Sequence, residues 1–109
     1  MGVLTYGVGA PEIEIEDRTL AHLQFVIAMK LRRNEQFMLT WEHGMERGGG
    51  RSAVWISPSI PVHFRYSGSK QPRLNRAWLE AFMETANGPT GLHHVPEPAG
   101  PPVPPRPLL

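Results

Sequence analysis

Two stretches of this chain repeat their apolar residues at helical spacing, and five others are short and strand-like. That division constrains the fold more than any other feature of the sequence. Leu20, Leu23, Ile27 and Leu31 fall on one stripe at steps of three and four, the period of one helix face. Asp17 stands before this run as an N-cap. Lys30, Arg32 and Arg33 crowd its last turn, where cations favour the helix dipole, and Asn34 can end it. A second helix is expected from Asn75, its cap, to about Asn87. Trp78, Leu79, Phe82, Met83 and Ala86 form its apolar face, and Gly88 and Pro89 stop it.

The strand-like stretches lie around these helices. Val3 to Tyr6 reads as a strand closed by a Gly-rich turn, and Glu12 to Glu16 alternates with Ile13 and Ile15 inward. Gln36 to His43 and Ser52 to Ser57 form a pair joined by the "GMERGGGR" loop. Val62 to Tyr66 resumes alternation after "SPSIP", whose prolines cannot donate to a central ladder. The order β-β-α-β-β-β-α with hairpin-like neighbours predicts an α+β fold: an antiparallel sheet with two helices packed on it.

With 109 residues there is chain for one core, expected to span residues 1–95. Seven of the twelve prolines lie between Pro96 and Pro107, so 96–109 reads as an extended, polyproline-like tail. Within it Pro101, Pro104 and Arg106 match a P-x-x-P-x-Arg spacing that any tail so rich in proline produces easily. There is no cysteine, hence no disulfide and no thiolate chemistry. The longest near-apolar run, Phe25 to Met29, is far short of a membrane span, and the N-terminus lacks the basic start and apolar stretch of a signal peptide. A soluble cytoplasmic protein with no membrane partner is expected.

Catalytic and metal chemistry find little support. Asp17 is the single aspartate, and Glu12, Glu14 and Glu16 alternate along a strand face as a solvated surface does. His22, His43, His63, His93 and His94 have no helix-ligand spacing among them, and no serine lies in a nucleophile-elbow pattern. No cofactor, metal site or catalytic residue is expected.

Charge is the remaining signal. Net charge is only +1, yet Arg47, Arg51, Arg65, Lys70, Arg73 and Arg76 occupy a stretch without any acid. Lys70, Arg73 and Arg76 lead into the second helix at the end where cations are disfavoured and anions attracted. Arg51, Arg65, Lys70, Arg73 and Arg76, with Arg32 and Arg33 as a second group, are therefore candidate contacts to a nucleic-acid backbone. The alternative for each is an ordinary surface cation, lying over apolar neighbours or finishing a helix. Arg47 and Arg51 flank three glycines that can embrace a phosphate or simply make a long hairpin turn. Phe25 and Met29 point almost opposite the Leu20–Leu31 stripe. A helix apolar on two sides needs a second cover: the tail, the other helix, or a second copy of the chain. Phe25 and Met29 are accordingly candidate residues of a homo-oligomer or partner interface.

The segments "MGVLTYG", "DRTLAHLQFVIAMKLRR", "FMLTWEHG", "SIPVHFRYSGS", "LNRAWLEAFMETAN" and "GLHHVPEP" together resemble a family of short actinobacterial proteins of unknown function, many labelled ATP-dependent DNA ligase. The resemblance covers about residues 1–98 and departs in the proline tail. It implies a place near DNA metabolism as an accessory piece. It brings no catalytic residue, because neither Lys30 nor Lys70 begins the K-x-D-G motif that takes up AMP.

Overall fold

A computed structural model of the chain describes residues 1–9, 12–45 and 48–99. Its elements are β1 (Gly2–Tyr6), β2 (Glu12–Ile15), α1 (Asp17–Arg32), β3 (Phe37–Glu42), β4 (Arg51–Ile56), β5 (Val62–Arg65) and α2 (Arg76–Asn87). This is the expected order and an α+β fold. All strand pairing between these elements is antiparallel, but the strands divide into two sheets, β2-β1-β5 and β3-β4.

The turn after β4 accounts for the division. Pro58 and Pro61 sit in it, and Ile60 N–H donates to Ser57 carbonyl at 3.2 Å, so the chain leaves the β3–β4 ladder. β5 then pairs with β1, Phe64 opposite Leu4 and Val62 opposite Tyr6. Tyr6 ties the two sheets together: its hydroxyl donates to Trp55 carbonyl and accepts from Ser57 N–H, each at 2.9 Å. These groups flank the outer side of β4, so the phenol satisfies backbone that no neighbouring strand reaches.

The helices close the core between the sheets. α1 packs on β1 and on α2, and α2 packs on β3. Leu20, Val26 and Ile27 of α1 meet Leu4, Ile56, Phe82 and Leu92 in the core, all fully buried. Removing Phe82 to alanine should destabilise the fold by ~3–5 kcal/mol through the cavity left behind. Gly2 lets α1 approach β1, since a Cβ there would lie 2.6 Å from Leu20 Cδ2 and 2.8 Å from Arg65 carbonyl oxygen.

Beyond α2 the chain adds a strand-like segment to β3. Leu92 bridges Leu39 in parallel, with Leu92 N–H to Met38 carbonyl at 2.8 Å and Thr40 N–H to Leu92 carbonyl at 2.9 Å. Gly91 makes this possible. Its φ is +82°, and a Cβ would stand 2.5 Å from Met38 carbonyl oxygen. The tail beyond residue 99, with Pro101, Pro104 and Arg106, and the loop residue Arg47 lie outside the described residues.

The helix ends match the sequence at three of four points. Asn75 caps α2, its side chain accepting from Ala77 N–H at 3.0 Å, and Gly88 ends it. Asn34, at φ +58°, ends α1. Asp17 is the correction. Glu16 occupies the N-cap of α1 without a side-chain hydrogen bond, and the Asp17 carboxylate turns instead to another loop. A carboxylate satisfied by two amides elsewhere leaves the cap, while its charge still favours the helix N-terminus.

Candidate functional site

The loop that Asp17 reaches is the one from Tyr66 to Leu74, which carries the candidate cations Lys70 and Arg73. Asp17 accepts from Ser67 N–H at 3.1 Å and from Gly68 N–H at 2.9 Å. These amide bonds, Gly68's first, hold its carboxyl below the usual carboxylate range. Tyr66 hydroxyl donates to Gln24 Oε1 at 2.5 Å, and burial pushes the phenol above its ordinary pKa. Arg18 Nη1 donates to Arg73 carbonyl at 2.8 Å. The loop is thus an arch, pinned to α1 near both ends, with Lys70 near its middle.

Between the arch and α1 lies a groove of about 490 Å³. Its floor is the outer face of α1, where Ala21, Gln24, Phe25, Ala28, Met29 and Arg32 recur at helical spacing. Its far bank is the arch, with Tyr66, Lys70, Gln71, Pro72 and Leu74. Phe25 remains 39% exposed, Met29 is half-buried, and Ala21 and Ala28 leave open space beside them. Arg32 and Lys70 line the groove from its two sides, and among its described lining residues none is Asp or Glu. The second apolar face of α1 is therefore bordered by a polar, cationic loop and remains open.

The structure disperses the remaining basic candidates. Arg33, the C-cap of α1, is exposed next to Arg32. Arg73 is exposed between the lining residues Pro72 and Leu74 without lining the groove itself. Arg76 pairs with Glu80 at 3.1 Å, an exposed i,i+4 pair on α2. Arg65 shares a cross-strand row with Val3 and Glu14 on the outer face of the three-stranded sheet. Arg51 stands opposite Glu42 in the β3–β4 ladder, away from the arch. Lys30 parts from its neighbours altogether. It is buried, with Nζ bonded to Asn87 Oδ1 at 2.6 Å and to Glu35 Oε1 at 3.0 Å, and lies 5.7 Å from the centre of the Phe37 ring.

A polar clamp beside the arch gives little sign of itself in the sequence. Arg18 grips Glu97 with two bonds, Nε to Oε1 at 2.8 Å and Nη2 to Oε2 at 2.7 Å, and Asn75 Nδ2 donates to the same carboxylate at 2.9 Å. Arg18 first, then Asn75, holds the Glu97 carboxyl down at about 2. Beneath the clamp His22 is fully buried against Trp78, ring centres 4.6 Å apart. Its Nδ1 meets Arg18 carbonyl at 2.7 Å and its Nε2 accepts from Asn75 N–H at 2.8 Å, an arrangement that requires the neutral ring with its proton on Nδ1. Burial lowers its pKa accordingly. The available signal was the i−4 relation of His22 to Arg18. The partners at Asn75 and Glu97 are far along the chain.

Elsewhere His43 Nε2 and Ser52 Oγ meet at 2.6 Å across β3 and β4 on exposed surface, with Trp41 stacked parallel to the His43 ring. Among the described residues the His43 ring has no carboxylate partner, and the pair does not line the groove. Among the described residues no group of three His, Asp or Glu is placed to hold a metal ion, and no helix is long and apolar enough to cross a membrane.

Compared with known proteins, the chain matches over residues 1–97 the family described as Domain of unknown function (DUF7882), and it belongs to that family. No curated protein and no solved structure matches it.

Proposed function

We propose that this member of the DUF7882 family is a non-catalytic binding module that contacts nucleic-acid backbone through the groove between α1 and the arch. One observation carries the reading: Arg32 and Lys70 face the same groove from opposite sides, with no carboxylate lining it. Arg33 and Arg73 are exposed next to lining residues in the sequence and do not line the groove themselves. Cations so placed make contacts to phosphate that do not depend on sequence. Arg76 and Arg51, paired with or opposite acids, contribute less, and Arg65 lies on another face. A nucleic-acid partner agrees with the cytoplasmic location expected from the sequence.

Fluorescence anisotropy with labelled oligonucleotides at low ionic strength tests this. Binding should weaken steeply with salt, and the double change Arg32→Ala, Lys70→Ala should reduce the slope of log K against log[salt] by about 1–2. Arg51→Ala should leave it unchanged. Absent or salt-insensitive binding by the folded protein overturns the reading.

A second reading uses Phe25 and Met29 as a homodimer or partner interface, and the 39% exposure of Phe25 favours it. Light scattering decides: a dimer abolished by Met29→Glu supports it, and a concentration-independent monomer removes it. The ligase label of the resembling family fits an accessory role near DNA rather than adenylation. Incubation with labelled ATP should leave no covalent lysine adduct.

A further inference from the structure

We infer that the groove receives one unstacked base of a single strand, with Phe25 as the stacking surface and Arg32 and Lys70 on the flanking phosphates. This rests on the nucleic-acid reading above and narrows it to single-stranded partners. About 490 Å³ lies within the range of cavities that hold small organic groups, ~300–1,000 Å³. It suits a planar heterocycle and is far too small for a duplex, whose bases are in any case stacked out of reach.

The lining matches that occupant. An exposed phenyl ring with alanines on either side gives a base a flat face and room to lie on it. Gln71 brings an amide, which both donates and accepts, to the edge of the same space, and Gln24 lines it while its Oε1 holds the Tyr66 hydroxyl. Cations at the rim with an aromatic floor are the two parts that single-strand binding combines. An acidic amphipathic helix would need a long apolar trench for its successive anchors. Here glutamines and Ser69 interrupt the apolar lining, and the arch bounds a compact space. That space is built before any ligand arrives, because Asp17, Gln24 and Arg18 hold the arch by separate bonds. Preorganisation of this kind lowers what binding must spend on ordering.

The test compares a labelled single-stranded oligonucleotide with the same sequence as a duplex, in anisotropy titrations of the full chain at low salt. The single strand should bind at least tenfold more tightly. Phe25→Leu should weaken it about tenfold, and Phe25→Tyr should restore it, since stacking needs the ring and not merely its bulk. Circular dichroism of each variant checks that it is folded. Equal binding of both forms, unaffected by Phe25→Leu, overturns the inference while leaving the nucleic-acid reading in place. No binding of either form overturns both, as does an acidic helical peptide that binds where the oligonucleotides do not.

Discussion

Replacing His22 by leucine removes the buried ring that joins α1 to the start of α2. Two hydrogen bonds disappear with it, from Nδ1 to Arg18 carbonyl and from Asn75 N–H to Nε2. The two losses are unequal. Arg18 carbonyl keeps its place in the helix ladder, whereas Asn75 N–H is left without its acceptor in the interior, at ~1–3 kcal/mol. Adding ~1 kcal/mol for the first bond, and nearly nothing for a leucine of similar bulk, gives a loss of about 3 kcal/mol. In a domain of this size that lowers Tm by roughly 12–20 °C. The pH dependence isolates the ring more sharply. Its folded pKa is depressed by burial, with the Arg18 backbone carbonyl opposing that shift, the Arg18 guanidinium adding to it and the Glu97 carboxylate opposing it. As pH falls below ~6.5 the unfolded chain takes up a proton that the folded chain refuses, so stability is full above that pH and declines toward the depressed folded value. The decline can reach about 1.4 kcal/mol per pH unit. Below the ordinary carboxylate range the lowered Asp17 and Glu97 carboxyls add a further loss in the same direction. Urea denaturation of the wild type and His22→Leu between pH 7 and 5 is the assay. The variant should be less stable at pH 7 and lack this part of the slope. Parallel slopes in the two proteins would refute the neutral, Nδ1-protonated ring.

Gly91→Ala should destabilise the fold by ~2 kcal/mol or more, because its φ of +82° and the Met38 carbonyl 2.5 Å from the new Cβ both oppose a side chain; thermal melts measure it. Lys30→Ala should lose about 2 kcal/mol by emptying the buried space that its stem fills beside Phe37 and removing its bonds to Asn87 and Glu35, yet leave oligonucleotide binding intact, which separates Lys30 from Arg32 two residues on. The double change Arg32→Ala, Lys70→Ala should do the reverse, abolishing most binding while stability in urea stays within ~0.5 kcal/mol of the wild type.

What the sequence reveals about this fold is mostly local. The Leu20–Leu31 stripe, the Asn75 cap and the Gly88 stop depend on neighbours within a turn or two, and each appears where its spacing places it. The division into two sheets does not. "SPSIP" announces an interruption but carries no record of which strand β5 will join, and its partner β1 lies at the other end of the chain. The groove shows the same boundary. Phe25 and Met29 are legible as a second apolar face of α1, but the arch beside them exists because Asp17, Arg18 and Gln24 each find a partner some forty or more residues away. The basic cluster after Met29 is the clearest case. Each residue turns the helix by ~100°, so Lys30 enters the core, Arg32 lines the groove and Arg33 faces solvent. Three neighbouring cations with one appearance in the sequence have three different fates.

The groove between α1 and the arch is the proposed binding surface, and amide chemical-shift mapping addresses it most directly. Uniformly ¹⁵N-labelled protein is titrated with a short single-stranded oligonucleotide at low salt. The shifts should concentrate on Ala21 to Arg33 and on the arch from Tyr66 to Leu74, leaving Arg51 and the β3–β4 ladder undisturbed. Shifts centred on β3–β4, or none at all from a folded protein, would contradict it.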